Sequence, residues 1–291
     1  MASPPQRTKR KPVPRSRPRG RSFASATTPR EDGPQRIAKL LARAGVASRR
    51  DVERMIADGR IALNGEKLTT PATLLTDLSG ITVDGKPVRP AAATRLFRFY
   101  KPQGAITAAR DPKGRPTIYD RLPPGLPRVM PVGRLDFMTE GLLLLTTDGE
   151  AAHKLTHPSG EIERTYLATV RGDGATAARE AMKGVELEDG MVFPREFQAR
   201  RVGRGLWELT ITIAEGRTRE IRRLCEALDL EVQRLVRTKF GPVKLGSLPS
   251  GKTRSLTERE AEIITALTKS GGKRKNTTRG RGRERTNRYS R

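Results

Sequence analysis

Hydrophobic positions recur with helical spacing in two short segments that begin near residue 35. In the first segment, positions i, i+3, i+4 and i+7 are occupied by Ile37, Leu40, Leu41 and Ala44. Gly45 follows directly, where a left-handed residue commonly ends a helix. The second segment opens with Ser48 and Asp51 as a shortened capping box, and its apolar positions are Val52, Met55 and Ile56. The pattern predicts two short helices, the second ending near Gly59.

Two short apolar runs follow these helices, and each ends in a dipeptide typical of a tight hairpin. Residues 61–63 precede Asn64-Gly65, and residues 81–83 precede Asp84-Gly85. Both dipeptides tolerate the positive φ angles that two-residue hairpin turns require. We therefore expect short strands that are closed by tight turns.

Residues 86–96 contain two prolines and three consecutive alanines, which predicts a linker and a domain boundary. Beyond this linker, apolar runs predict strands at residues 96–100, 142–147, 166–170 and 207–213. Helical spacing predicts helices at about residues 175–183 and 217–229. Because strands and helices do not alternate regularly, the pattern favours an α+β fold over a doubly wound sheet.

The charge of the chain is strongly unbalanced, with a net charge of +26 over 291 residues. Residues 1–33 hold nine basic residues against two acidic ones, and residues 271–291 hold nine against one, so these two segments carry 15 of the 26 net charges. Their composition predicts disordered basic tails. A positive surplus in tails and body alike fits a polyanion, and nucleic acid is a better candidate than an anionic membrane because neither tail has an apolar face.

The sequence also excludes several classes of protein. Its longest apolar run, residues 142–145, is far too short to cross a bilayer, and no hydrophobic signal segment follows the basic N terminus. Three prolines within residues 12–18 disfavour an amphipathic organellar targeting helix, so we expect a cytoplasmic protein without a membrane partner. Cys225 is the only cysteine and is expected on a helix in the core; with two histidines in the chain, no metal site is expected.

The predicted helices carry a basic face, which for a helix pair is usually only solvated surface. However, residues 35–85 resemble the S4 RNA-binding domain in their helix, helix, strand and Asn-Gly order and in the run Ser48-Arg49-Arg50. The resemblance implies an S4-like α/β domain at residues 34–90 that docks on structured RNA through phosphate contacts. The contacts that it implies come from Arg36, Lys39, Arg43, Ser48, Arg49, Arg50 and Arg54.

Three charged segments of the second half follow or adjoin apolar strands, at residues 132–150, 161–170 and 214–228. Taken singly, Asp136 is typical of a turn, Tyr166 of a strand, and the arginines near residue 220 of a solvated helix face. Together with residues 100–104, these segments resemble, in the expected order, the four motifs of the pseudouridine synthases of the RsuA/RluB type. The most specific is the seventeen-residue match that starts with Gly133-Arg134-Leu135-Asp136.

The resemblance implies a mixed, mainly antiparallel-sheet catalytic domain at residues 96–268 that isomerises a uridine in ribosomal RNA. It implies that Asp136 is the nucleophile, that Tyr166 stacks on the uracil, and that Arg222 pairs with Asp136. It further implies RNA contacts from Lys101, Arg134, Arg217 and Arg219, a monomer, and no cofactor.

Residues 107–125 resemble the large-subunit enzymes of this type more than the small-subunit ones, so 23S rRNA or a large-subunit assembly intermediate is the expected partner. A synthase that acts on 16S rRNA or on transfer RNA remains an alternative. A non-catalytic ribosome-binding S4 protein is a further alternative, although Asp136, Tyr166 and Arg222 are all present.

Overall fold

The computed structural model describes residues 33–270, with side chains described to residue 267. The basic tails expected at residues 1–33 and 271–291 therefore lie outside the described residues, apart from Gly33. Within the described part, a small N-terminal unit precedes a larger mixed α/β unit.

The N-terminal unit packs two helices against short strands. Its elements are β1 (Gln35–Arg36), α1 (Ile37–Arg43), α2 (Arg49–Ala57), β2 (Ile61–Leu63), β3 (Glu66–Lys67), β4 (Leu74–Leu75), β5 (Ile81–Val83) and β6 (Lys86–Pro87). Strands β3, β2, β5 and β6 form an antiparallel sheet in that order, and β1 pairs with β4. Five of the seven apolar positions that predicted the helices form the core of the unit with Ile61 and Ile81, whereas Leu40 and Ala44 lie outside that core.

The predicted local signals of this unit are confirmed. The Ser48 hydroxyl accepts a hydrogen bond from the Asp51 amide at 3.1 Å and so caps α2. Asn64 and Gly65 have φ angles of 52° and 90°, as the turn between β2 and β3 requires. The predicted linker is shorter than expected, because β6 uses Lys86–Pro87 and the next strand begins at Leu96.

The second unit is built on one nine-stranded sheet. The eleven strands described in this unit, nine of which form the sheet, are β7 (Leu96–Lys101), β8 (Met130–Val132), β9 (Glu140–Thr146), β10 (Arg164–Arg171), β11 (Val185–Leu187), β12 (Gly190–Val192), β13 (Glu196–Gly203), β14 (Leu206–Ile213), β15 (Glu231–Phe240), β16 (Val243–Lys244) and β17 (Thr253–Ser255). Its helices are α3 (Gly149–Thr156), α4 (Gly174–Ala181), α5 (Glu220–Ala227) and α6 (Glu258–Ser270). Short 3₁₀ turns lie at Tyr119–Arg121 and Pro158–Gly160.

The order of the main path is β13, β14, β10, β15, β9, β7 and β17, while β8 and β16 pair with β9 and β15, and β11 pairs with β12 in a separate hairpin. Among the strand pairs of the described sheet, only β9 and β15 run parallel. The expected α+β fold with a mainly antiparallel sheet is confirmed.

Helices cover both faces of this sheet. Helices α4 and α5 belong to one apolar core with Leu143 and Leu145 of β9, and α3 and α6 belong to the other with Leu142 and Leu144. Because β9 is buried on both faces, its sequence is a continuous apolar run rather than an alternating one. Cys225 lies on α5 in the first core, as expected, where burial raises the pKa of its thiol to about 12.

Candidate active site

One cavity of about 1460 Å³ lies where the loop after β8, strand β10 and the start of α5 meet. Asp136, Tyr166 and Arg222, which come from three separate sequence motifs, all line it. Nine arginines and five carboxylates line the same cavity, so its wall has a positive surplus. The fold therefore brings the three predicted catalytic side chains to one place.

The loop that carries Asp136 is held through its backbone. The Lys101 ammonium, at the end of β7, donates hydrogen bonds to the carbonyl oxygens of Asp136 at 3.0 Å and Thr139 at 2.8 Å. The Thr139 amide donates to the same Asp136 carbonyl at 3.1 Å, which closes a tight turn. Lys101 is fully buried, and this burial lowers the pKa of its ammonium to about 8. The RNA contact expected of Lys101 is therefore wrong, because its side chain lies beneath the loop and not on the surface.

Thr107 and Gly104 hold the two residues on either side of Asp136. The Thr107 hydroxyl both accepts from the Leu135 amide at 3.1 Å and donates to the Leu135 carbonyl at 2.8 Å. The Gly104 amide donates to the Phe137 carbonyl at 2.9 Å. Within residues 33–270, the Asp136 carboxylate itself has no hydrogen bond and no ion pair. The protein thus fixes the position of this carboxylate and leaves its oxygens for a ligand.

Tyr166 lies on β10, in the middle of the sheet. It faces Ile211 on β14 and Arg237 on β15, directly after a register shift between Thr165 and Tyr166. Its side chain is 8% exposed and belongs to the larger apolar core. In the described part of the chain its hydroxyl has no hydrogen-bond partner, so the ring is fixed by packing while its polar end remains available.

Arg222 lies in the first turn of α5, but it does not pair with Asp136 as expected. Its Nη2 donates to the carbonyl oxygen of Met138 at 3.0 Å, and among the described residues Arg222 makes no ion pair with a carboxylate. Burial lowers the pKa of the Arg222 guanidinium, Arg219 acts in the same direction, and the nearby Asp136 charge opposes both. Arg222 therefore lies near Asp136 without pairing with it. It holds the loop that carries Asp136 by its hydrogen bond to the Met138 carbonyl oxygen.

The guanidinium of Arg217 forms its hydrogen bonds within the protein. Its guanidinium donates to the carbonyl oxygens of Gly190 and Met191, both at 2.9 Å, and to the Glu215 carboxylate at 2.7 Å. Arg223 donates a hydrogen bond at 2.8 Å to the carboxylate of Asp189, which lies in the turn between β11 and β12. Arg217 therefore fastens the β11–β12 hairpin to the edge of the cavity, which corrects its expected role as an RNA contact. Arg134 and Arg219 are exposed along the cavity and keep that expected role as a prediction.

Sequence reasoning missed two arginines that line the cavity, the buried Arg237 and the half-buried Arg164. Arg237 on β15 is 2% exposed, donates from Nε to the Leu142 carbonyl at 2.7 Å, and has an Nη2 without a partner. Arg164 on β10 donates to the carbonyl oxygens of Ala214 and Glu215. The two guanidiniums lie 5.5 and 5.3 Å from the ring centre of Phe240. Residues 231–240 carry a charged residue at every second or third position, so their apolar pattern did not predict the strand that holds Arg237.

The residues expected to bind RNA in the N-terminal unit divide into two groups. Arg36, Arg49, Arg50 and Arg54 are exposed, and Arg54 also pairs with Asp51. The others are partly buried or bonded within the protein: Ser48 caps α2, Lys39 pairs with Glu150 of α3 at 3.1 Å, and Arg43 is half-buried. The exposed basic surface of this unit is therefore narrower than the sequence suggested.

The described residues offer neither a metal site nor a membrane span. Between residues 33 and 270, no group of three or more histidine, cysteine or acidic side chains is placed to hold a metal ion. No helix in this part of the chain is long and apolar enough to cross a membrane.

Comparison with known proteins follows the same division of the chain. The family described as RNA pseudouridylate synthase matches residues 95–227, and the S4 domain matches residues 35–77. The Bacillus subtilis protein named ribosomal large subunit pseudouridine synthase B is 38% identical over 240 residues, covering 81% of this chain and 98% of its own length. The Pseudomonas aeruginosa protein of the same name is 43% identical over 240 residues, which cover 79% of this chain. The chain spans 62% of the length of that Pseudomonas protein.

An Aquifex aeolicus protein named uncharacterized RNA pseudouridine synthase is 41% identical over 236 residues, covering 80% of this chain and 94% of its own length. Among solved structures, a crystal structure of a pseudouridylate synthase aligns over 79% of this chain and 99% of its own, with a TM-score of 0.53 and 29% identity.

Proposed function

We propose that this chain, which belongs to the RNA pseudouridylate synthase family and carries an S4 domain, isomerises a uridine to pseudouridine in 23S ribosomal RNA. The proposal depends on the position of Asp136. Its backbone is held by Lys101 at the edge of a cationic cavity, and its carboxylate has no hydrogen-bond or ion-pair partner within the described residues. The large-subunit substrate is supported by the names of the relatives from Bacillus and Pseudomonas.

In the proposed reaction, Asp136 is the nucleophile. An oxygen of its carboxylate bonds to C1′ of the uridine as the bond from C1′ to N1 breaks, and the electron pair of that bond stays on the base. The base then turns, C5 bonds to C1′, and the carboxylate leaves. C5 loses a proton and N1 gains one, so the product has the same atoms as the substrate and no co-reactant is consumed.

Tyr166 and Arg222 assist this step in different ways. The Tyr166 ring, fixed by the core at the cavity wall, stacks on the uracil, and its phenolic oxygen accepts the proton from C5 as its own proton passes to water. The Arg222 guanidinium lies close enough to Asp136 for the two charges to attract, and it holds the Asp136 loop through the Met138 carbonyl oxygen. The target base must first leave its stack, at a cost of a few kcal/mol, and the positive surplus of the cavity wall offsets part of that cost by binding phosphates.

We assign the remaining tasks by domain. The S4-like domain, residues 34–90, docks on folded RNA through Arg36, Arg49 and Arg50, and the catalytic domain, residues 96–268, holds the target uridine with help from Arg134 and Arg219. The basic tails at residues 1–33 and 271–291 add phosphate contacts. The protein acts as a monomer in the cytoplasm on 23S rRNA or on a large-subunit assembly intermediate.

The test is Asp136→Asn, which keeps the shape of the side chain and removes its charge. Cells that lack this protein are supplied with either the wild type or the variant, and pseudouridines are mapped in all ribosomal RNAs by carbodiimide labelling and primer extension. We expect one position in 23S rRNA to be modified by the wild type only, because the neutral amide is a poor nucleophile. Binding of the variant to 23S rRNA should stay near that of the wild type.

Asp229→Asn is the matched control. It makes the same chemical change at an exposed residue outside the cavity, where φ is 54° and asparagine is well tolerated. This control should modify RNA normally. A position in 16S rRNA would correct the substrate but not the activity, whereas normal yield from Asp136→Asn would contradict the assigned nucleophile.

A further inference from the structure

An exposed aromatic ring lies at the edge of the cavity and has no part in the proposed chemistry. Phe193 directly follows β12, lines the same cavity as Asp136, and is 63% exposed. No other large hydrophobic side chain in the described residues is more exposed. An exposed aromatic residue beside a functional cavity marks a place where a ligand removes apolar surface from water.

The ring of Phe193 packs next to Gly184. Gly184 has φ of +96°, and a side chain there would overlap Cε1 of Phe193 and lie 2.9 Å from Cε of Met191. The ring of Phe193 can therefore pack against Gly184 because this residue has no side chain. The hairpin that leads to Phe193 is fastened by Arg217 through the carbonyl oxygens of Gly190 and Met191. Because Arg217 holds the hairpin before a ligand arrives, little conformational entropy of the hairpin is lost on binding.

The surroundings favour nucleic acid over protein as the occupant. The cavity of about 1460 Å³ exceeds the roughly 300–1,000 Å³ typical of sites for one small ligand. It therefore has room for more than the target nucleotide. Arg134, Arg195 and Arg219 are exposed along the same cavity, where they can neutralise the phosphates of a strand that passes Phe193.

We propose that Phe193 forms a stacking subsite for an unpaired nucleobase next to the target uridine. The inference rests on the proposed function, because it takes the RNA substrate as the ligand. Pulling the uridine out of its stack exposes a face of the neighbouring base, and an aromatic ring compensates for the lost stacking. The RNA thus exchanges base–base stacking for contact with Phe193 as the uridine enters the cavity.

The experiment compares Phe193→Ala, Phe193→Leu and Phe193→Tyr with the wild type on 23S rRNA that was freed of protein and isolated from cells lacking this chain. Loss of one base–aromatic stack should lower kcat/KM by roughly 5- to 100-fold in Phe193→Ala, mainly by raising KM. Phe193→Leu should not restore activity, since it is apolar but has no ring face. Phe193→Tyr should restore it, and the rate at saturating RNA should change little in every variant.

Met182→Ala is the matched control, because Met182 is 52% exposed and only two residues before Gly184 in the chain, but does not line the cavity. It should modify RNA as the wild type does. Direct contact is measured with Phe193→Trp, since the chain has a single tryptophan, Trp207, as background. Tryptophan emission of Phe193→Trp should be quenched by RNA well beyond the change in the wild type.

The outcomes separate the two proposals. A wild type that modifies no position in the rRNA contradicts the proposed function itself. An active wild type with an equally active Phe193→Ala contradicts the stacking subsite alone. Two outcomes would instead assign the exposed surface around Phe193 to contact with protein. One is an equal loss of kcat/KM in Met182→Ala, and the other is a dimer that Phe193→Ala disrupts while RNA binding is unchanged.

Discussion

At the scale of single residues, the cavity contrasts two ways of placing a charge. The backbone carbonyl oxygen of Asp136 accepts hydrogen bonds from Lys101 and from the Thr139 amide. These bonds position the residue while its carboxylate forms no hydrogen bond within the described residues. Arg237 is almost fully buried with one hydrogen bond and an unpartnered Nη2. A buried guanidinium without a carboxylate partner lowers stability, so its position at the cavity wall points to a functional reason for keeping it.

Arg237→Met tests this reasoning. Methionine fills a similar volume without a buried charge, so we expect the free energy of unfolding to stay level or to rise by about 1–3 kcal/mol. Modification of RNA should fall, because the cavity loses a positive charge near the place where negative charge develops on the base. Urea unfolding and the pseudouridine assay measure the two effects. A clear loss of stability would show that Arg237 is mainly a structural residue.

At the scale of elements, the cavity depends on where β9 meets β15. These strands run parallel, with Val236 opposite Glu140 and Arg237 opposite Gly141, directly after the turn that carries Asp136. Gly141 has φ of +104°, and a Cβ there would lie 2.7 Å from the Arg237 amide nitrogen and still closer to its carbonyl oxygen. The close approach of the two backbones therefore requires glycine at this position.

Gly141→Ala should destabilise the protein by about 3 kcal/mol or more, because neither backbone can move without breaking the sheet. Gly65→Ala is the matched control, since Gly65 also has a positive φ, of +90°, but no atom within 4 Å of an added Cβ. That control should lose only about 1–2 kcal/mol from backbone strain. Equal losses in the two variants, measured by thermal unfolding, would refute the close approach as the cause.

At the scale of the whole molecule, we propose that binding of RNA is divided among separate parts of the chain. The small unit contacts the large one through the ion pair of Lys39 with Glu150 of α3, at 3.1 Å. Both units expose basic residues, and residues 1–33 and 271–291 carry 15 of the 26 net positive charges. Each phosphate neutralised releases condensed counterions, so every part contributes to the dependence of affinity on salt.

Removal of residues 1–33 and 271–291 should lower the affinity for 23S rRNA and flatten the plot of log affinity against log salt. We expect the slope to decrease by roughly 0.7–0.9 for each lost phosphate contact. Filter binding across a series of salt concentrations measures this change. The melting temperature of the shortened chain is the control for folding. An unchanged slope would show that these segments do not contact the RNA.

Elements with a strict pattern were predicted well, and those whose pattern depends on packing were not. The helices of the small unit and strands β7, β9, β10 and β14 follow apolar spacing in the sequence. Strand β15 was not predicted, although it is ten residues long, because its arginines and lysine interrupt the apolar pattern. Tertiary burial of Arg237 on this strand overrides what local composition indicates.

The sequence by itself determined the two-part organisation, the α+β class, the basic character and the motifs that hold Asp136, Tyr166 and Arg222, since these follow from local spacing and composition. Only the tertiary structure decided the partners of each charge. It placed Lys101 under the loop, turned Arg217 to the β11–β12 hairpin, and aimed Arg222 at the Met138 carbonyl. Burial and hydrogen-bond partners depend on residues far apart in the chain, and local pattern does not encode them.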